Sequence, residues 1–258
     1  MRDLLAAAGS LLFWGFLVVT SLLLFPVALL LWALTRPFDP RTRALHWFTC
    51  FWASLYTWCN PLWRVRISGK ARIRPGATYV MVANHQSLVD ILVLFRLFVA
   101  FSWVSKEENF SVPFIGWNMR LNGYIPLRRG DKASAAVMMD ACRATLSEQT
   151  SVMMFPEGTR SRTGELQAFK PGAFQLALET GCALLPIVLD GTSRALPKRG
   201  FVLRGRQRIE VRVLPEISVD VDDARSPVEL AESTRAVVAD ALAVMRSGAA
   251  ASSTDSRA

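Results

Sequence analysis

The sequence predicts an α/β domain: a mixed, largely parallel sheet flanked by helices, with an N-terminal membrane-anchoring helical segment. Three observations carry that expectation. Leu4 to Leu34 hold no charged side chain. From Arg64 onward, short apolar runs alternate with amphipathic stretches, the pattern of strands separated by crossover helices. The polar residues with chemistry to offer stand directly after those apolar runs, where parallel sheets collect reactive groups.

The apolar run exceeds the roughly 20 residues that cross a bilayer core. It is too long for the apolar part of a signal peptide, about 7–15 residues, and no small-residue cleavage site follows it. Pro26 inside the run offers a kink, or a split into a shallow hairpin. The next stretch, Arg41 to Trp63, mixes Trp47, Trp52, Tyr56 and Trp58 with Arg41, Arg43 and His46. Aromatic residues beside basic ones belong to the water–lipid interface. The expectation is one membrane-inserted helix followed by an interfacial helix. Arg36, Arg41 and Arg43 after the run favour the cytoplasmic face, hence the expectation of an inner (cytoplasmic) membrane protein whose following domain faces the cytoplasm.

Strands are expected at Val65–Ile67, Thr78–Ala83, Phe101–Val104, Gly123–Leu127, Ser151–Phe155 and Ala183–Leu189, from their apolar, β-branched and aromatic content. Helices are expected at Leu88–Phe98, Lys132–Glu148 and Pro171–Thr180. Phe201–Leu214 reads as a basic hairpin and Pro227–Met245 as a closing helix. The domain reading is 1–63 membrane and interfacial helices, 64–246 α/β domain, and a small, polar, disordered tail over 247–258.

The chain has 258 residues, enough for one domain plus an appendage, and is 52% hydrophobic yet carries a net charge of +9. The basic remainder calls for an anionic partner such as lipid head groups or an acyl-carrier protein. Nucleic acid is set aside, because no aromatic-interleaved basic stretch or zinc spacing accompanies the charge. Cys50, Cys59, Cys142 and Cys182 form no CxxC pair, and the chain has only two histidines. No metal or cofactor is expected, and the cysteines read as core or membrane-face residues of a reducing compartment.

Four clusters carry the candidate chemistry. NHQSLVD, Asn84 to Asp90, follows the strand TYVMVA. An imidazole at His85 with the carboxylate of Asp90 one turn away is what takes a proton from an alcohol, the carboxylate fixing the tautomer and stabilising the imidazolium. Ser87-x-x-Asp90 is equally a capping box, and the two roles are compatible. FPEGTRSR, Phe155 to Arg162, turns at a strand end, where backbone N–H groups and an arginine fork make a phosphate or oxyanion cradle; solvated arginines on a polar turn are the alternative. GYIPLRR, Gly123 to Arg129, ends a strand in Arg128 and Arg129. LLPIVLDG, Leu184 to Gly191, is mainly core. Lys106 and Lys170 are further cations in loops. The basic segment containing Lys198, Arg199, Arg204, Arg206, Arg208 and Arg212 either docks an anionic lipid or carrier protein or is a solvated face.

With these residues in place, the sequence resembles the 1-acyl-glycerol-3-phosphate acyltransferases within the wider glycerolipid acyltransferase family, over roughly 60–200. NHQSLVD matches the family's His-four-residues-Asp motif, which implies His85 as general base and Asp90 as its partner. FPEGTRSR matches the acceptor-binding motif, which implies substrate contacts from Glu157, Gly158, Thr159 and Arg160. GYIPLRR resembles the strand motif ending in arginine, implying a phosphate contact from Arg129. Lys106, before VPFIGW, resembles the lysine proposed to steady the oxyanion. One departure is Arg128, where the family usually has aspartate. The resemblance implies a membrane-lipid acceptor and acyl-CoA or acyl-carrier protein as donor. A relative acting on another lysolipid, such as lyso-ornithine lipid, is the nearest alternative. A serine hydrolase built on Ser87 lacks the GxSxG elbow.

Overall fold

The computed structural model describes residues 2–198 and 200–254. Two helices lead, α1 (Arg2–Thr35) and α2 (Arg43–Trp58). Then come β1 (Trp63–Ser68), β2 (Val80–Ala83), α3 (Val89–Phe95), β3 (Phe101–Lys106), α4 (Ile115–Leu121), β4 (Ile125–Leu127), α5 (Lys132–Ser147) and β5 (Ser151–Met154). The chain continues through α6 (Gly172–Thr180), β6 (Leu184–Asp190), α7 (Thr192–Ala195), β7 (Gln207–Val213) and α8 (Pro227–Thr254).

The seven strands form one sheet in the order β1-β7-β6-β2-β5-β3-β4. Every pairing from β6 to β4 is parallel, and only β6 with β7 is antiparallel. The α/β class is therefore as the alternation predicts. Its central strands are apolar throughout because both faces are covered. On β2, Met81 and Ala83 enter the core beneath α3, while Val80 and Val82 enter the core with α5 and α6. The segments after β2, β3, β4, β5 and β6 all leave the same edge of the sheet, which positions the site described below.

Local chemistry explains the element ends. Asp131 caps α5 by accepting the backbone N–H groups of Ala133 and Ser134. Ser226 and Glu229 form a reciprocal capping box at the start of α8, with Pro227 at its first position. Gly181, at φ 64°, ends α6 in the left-handed region.

Two expectations are corrected. Phe201–Leu214 is not a hairpin: only Gln207–Val213 is a strand, and it inserts between β1 and β6 instead of pairing with its own neighbour. The closing helix runs to Thr254, where a disordered tail was expected from Ser247, and residues 255–258 lie outside the described residues. The apolar run is one continuous helix with Pro26 inside it, as the expectation of a single helix has it.

α1 includes a segment, Ala6–Thr35, of a length and apolarity able to cross a membrane. It lies along the domain. Near one end, Ser10 Oγ accepts the Leu203 N–H at 2.8 Å and Trp14 Nε1 donates to the Phe201 carbonyl at 2.7 Å. Further on, Phe25 packs against Phe114 and Trp117. Residues 10–25 of a helix span about 22 Å. Between these points Tyr56 of α2 joins the two helices, its hydroxyl taking the Trp52 Nε1–H at 2.6 Å and meeting Thr20 Oγ1 at 3.0 Å. The other face of α1 leaves Leu11, Leu12, Val18, Leu22 and Leu23 exposed. A stripe of that size suggests membrane association.

Candidate active site

β2 ends at Ala83, and the next seven residues fold back over the strand end. Asn84 is locked to β6, its amide donating to the Leu189 carbonyl at 2.9 Å and accepting the Leu189 N–H at 2.8 Å. That leaves His85 at the lip of the sheet. Its Nδ1 meets Asp90 Oδ2 at 2.8 Å, with Asp90 wholly buried and the imidazole 9% exposed. The same oxygen accepts the backbone N–H groups of Gln86 at 2.6 Å and Ser87 at 2.8 Å. One carboxylate thus shapes the turn and orients the ring, leaving Nε2 for a substrate. The capping box is only half made. Asp90 reaches back to Ser87 N, but Ser87 Oγ bonds Val89 N and the Leu196 carbonyl.

The ring is also stacked on one face. Phe155, at the end of β5, stacks on His85 with centroids 3.9 Å apart, and Trp103 of β3 stacks behind Phe155 at 5.3 Å. This aromatic backing fixes the plane of the imidazole.

The turn after β5 is bound to the turn after β2. Glu157 is buried, and its Oε1 accepts the His85 N–H at 2.7 Å. Its Oε2 takes the backbone and side-chain N–H groups of Gln167 at 3.2 and 2.8 Å. Burial pushes the Glu157 carboxyl above its ordinary range, and these hydrogen bonds pull it back. The Ser161 N–H donates to the His85 carbonyl at 2.8 Å. Gly158 stands at φ 69°, so the turn favours glycine, and a Cβ there would meet only the movable end of Lys170.

The residues singled out from the sequence take distinct places. His85 and Asp90 meet. Glu157 faces inward, with both oxygens spent on protein donors. Thr159 Oγ1 accepts from Lys198 at 3.2 Å, and Lys198 also donates to the Arg160 carbonyl. Arg199 lies outside the described residues. Lys170 sits over Gly158 behind the turn. Arg160 follows this turn and is close enough to Arg129, beyond β4, for the two charges to be felt. Burial pushes the Arg129 guanidinium down, Glu108 opposes this, and Arg160 adds to it. Arg128 and Lys106 are engaged differently. Arg128 Nε donates to Glu107 at 2.8 Å, and Lys106 Nζ pairs with Glu108 at 2.8 Å, both at an exposed rim. Glu107 and Glu108, directly after Lys106 in the sequence, were the signal for that. The contributions of Phe155, Gln86 and Gln167 were not read from the sequence, although polar residues adjoining the histidine hinted at them.

Fold and site define an α/β domain with a histidine–carboxylate pair at the carboxyl edge of a parallel sheet, beside guanidinium groups suited to an anionic oxyacid. Comparison narrows this class. Residues 64–190 match the family model described as Acyltransferase. The chain is 38% identical over 198 residues to a chloroplastic 1-acyl-sn-glycerol-3-phosphate acyltransferase of Arabidopsis thaliana, covering 75% of this chain and 53% of the relative. It is 38% identical over 196 residues to a 1-acyl-sn-glycerol-3-phosphate acyltransferase of Chlamydomonas reinhardtii, covering 75% and 58%. The chain thus spans little more than half the length of these curated relatives. In fold it is similar to the crystal structure of the 1-acyl-sn-glycerophosphate acyltransferase PlsC from Thermotoga maritima. The TM-score is 0.80 at 23% identity, over 95% of this chain and 98% of that one.

Proposed function

We propose that the protein transfers a fatty acyl group from acyl-CoA or acyl-carrier protein to the sn-2 hydroxyl of 1-acyl-glycerol-3-phosphate, giving phosphatidic acid. The observation that carries this reading is the His85 Nδ1–Asp90 Oδ2 contact of 2.8 Å, adjoining the turn that bears Arg160. The names of its relatives support the substrate class.

In this reading His85 Nε2 takes the proton of the acceptor hydroxyl as that oxygen bonds to the thioester carbonyl carbon. The C–S bond then breaks, and the departing thiolate recovers the proton from the imidazolium held by Asp90. Nucleophile and acceptor are the same group, so no acyl-enzyme is needed. Arg129 and Arg160 hold the acceptor phosphate. Glu157, Gly158 and Thr159 shape the turn that presents Arg160. Lys106 serves the tetrahedral oxyanion by exchanging Glu108 for it, and Arg128 stays with Glu107. The apolar face of α1 and the aromatic α2 hold the site at the cytoplasmic surface of the inner membrane, where the acceptor resides.

The test is an assay of the purified protein with lysophosphatidic acid, comparing acyl-CoA with acyl-carrier protein donors and including phosphate-free lysolipids. Phosphatidic acid formation by the wild type, lost by at least about 10²-fold in His85→Ala, is the expected result. Undiminished acylation by the variant removes the general base. A preference for phosphate-free lysolipids removes the acceptor assignment.

A further inference from the structure

The loop from Ser161 to Lys170 joins β5 to α6 and carries no regular secondary structure, yet it is fastened at close intervals. On the inner side its ties run to the catalytic turn: Ser161 N to the His85 carbonyl, Gln167 to Glu157, and the Gln86 amide to the Gly164 carbonyl at 3.4 Å. On the outer side its ties run to α8, which lies wholly beyond the segment 64–190 that matches the family. Arg235 of α8 donates from Nε to the Gln167 carbonyl at 3.0 Å and from a terminal nitrogen to the Leu166 carbonyl at 3.1 Å. Arg246, three turns further along, donates to the Gly164 carbonyl at 2.6 Å. Its remaining donors meet Glu165 at 3.1 Å and the buried Asp190, at the end of β6, at 3.4 Å. Between the two arginines Val238, Leu242 and Met245 form an apolar stripe on which Leu166 and Phe169 pack.

We infer that α8 is a strap that holds the acceptor-binding loop in its working shape, with Arg235 and Arg246 as positioning residues for Arg160 and, through Glu157, for His85. Backbone carbonyls in an irregular loop otherwise turn to water. Here three of them, at Gly164, Leu166 and Gln167, are claimed by two guanidinium groups on one rigid helix. Only a planar fork with several fixed donors meets such divergent acceptors at once. Neither arginine touches the His85–Asp90 pair, so their influence is on geometry and not on the proton transfer itself.

The inference rests on the acyltransferase reading for its kinetic consequence but not for its structural one, and the two are measured separately. In wild type, Arg235→Ala, Arg246→Ala and Arg246→Lys, amide hydrogen exchange is followed at Gly164 and Gln167, and steady-state kinetics are followed with acceptor and donor varied in turn. Faster exchange confined to the loop is expected in both alanine variants. The acceptor KM is expected to rise about tenfold or more, with the donor KM unchanged. Lysine at 246 cannot span Gly164, Glu165 and Asp190 together, so it is expected to leave the loop loose. Unchanged loop exchange, a loss of rate with both KM values preserved, or full rescue by Arg246→Lys overturns the strap. Inactivity of the wild type on every lysolipid sinks the acyltransferase reading instead, and the exchange data still decide the strap. Should either alanine variant fail to fold, the same comparison is made with Arg235→Gln and Arg246→Gln.

Discussion

Glu157 Oε1 accepts the backbone N–H of His85 across 2.7 Å, so the turns after β2 and β5 behave as one unit. A carboxylate suits this place because both its oxygens face donors. Glu157→Gln keeps the shape but turns an amide NH2 toward either the His85 N–H or the Gln167 side chain. An unsatisfied buried donor costs about 1–3 kcal/mol. The expected outcome is a drop of that size in unfolding free energy together with reduced turnover. Wild-type stability in denaturant titration would show that the contact is not needed.

Asp90 does two jobs with one oxygen, and substitutions separate them. Asn at 90 can still accept the Gln86 and Ser87 N–H groups but supplies no negative charge to His85. Asp90→Asn should therefore keep the fold, with a shift in Tm of a few degrees, while kcat falls on the order of 10²–10⁴-fold. Asp90→Ala should lose the turn as well, and with it more stability. Equal activity in Asp90→Asn and wild type shows that the carboxylate is structural only.

Arg129 and Arg160 lie at the ends of different strands yet sense each other's charge. Two cations held close are tolerable when an anion joins them. Arg160→Ala is expected to raise the acceptor KM by about tenfold or more, equivalent to at least about 1.4 kcal/mol, with the donor KM little changed. An increase confined to the donor KM would reassign the pocket.

His46 is a buried histidine with a purely structural part. Its Nε2 donates to the Val99 carbonyl at 2.9 Å and its Nδ1 accepts from the Tyr124 hydroxyl at 3.0 Å. Burial lowers its pKa from 6.5 to about 4, the Val99 contact opposing the shift. The unfolded chain therefore binds more protons than the folded one between those values, and stability falls as pH drops through that window. The loss attributable to this one group is about 3 kcal/mol by pH 4. It should be largely absent from His46→Gln when Tm is measured from pH 7 to pH 4.

The chain itself determined the features that depend on near neighbours. Alternating apolar and amphipathic stretches specify strands and crossover helices, and β2 to β6 fall where those stretches lie because both faces of a parallel sheet must be apolar. The His85–Asp90 pair was legible for the same reason: five residues leading into a helix return the carboxylate to the imidazole whatever surrounds them. Tertiary structure alone decided everything that joins distant segments. β7 sits between β1 and β6 rather than in a hairpin, since a strand pairs with whichever open ladders the packing offers it. Glu157 turns inward to His85, Phe155 slides under the imidazole, and Arg235 and Arg246 reach the loop around Gly164 from a helix far along the chain. Lys106 and Arg128, read as site cations, also pair with Glu108 and Glu107 at the exposed rim, contacts that the fold supplies. A side chain's type announces what it can bond, but its partner is fixed by which burial leaves fewest polar groups unsatisfied across the whole domain.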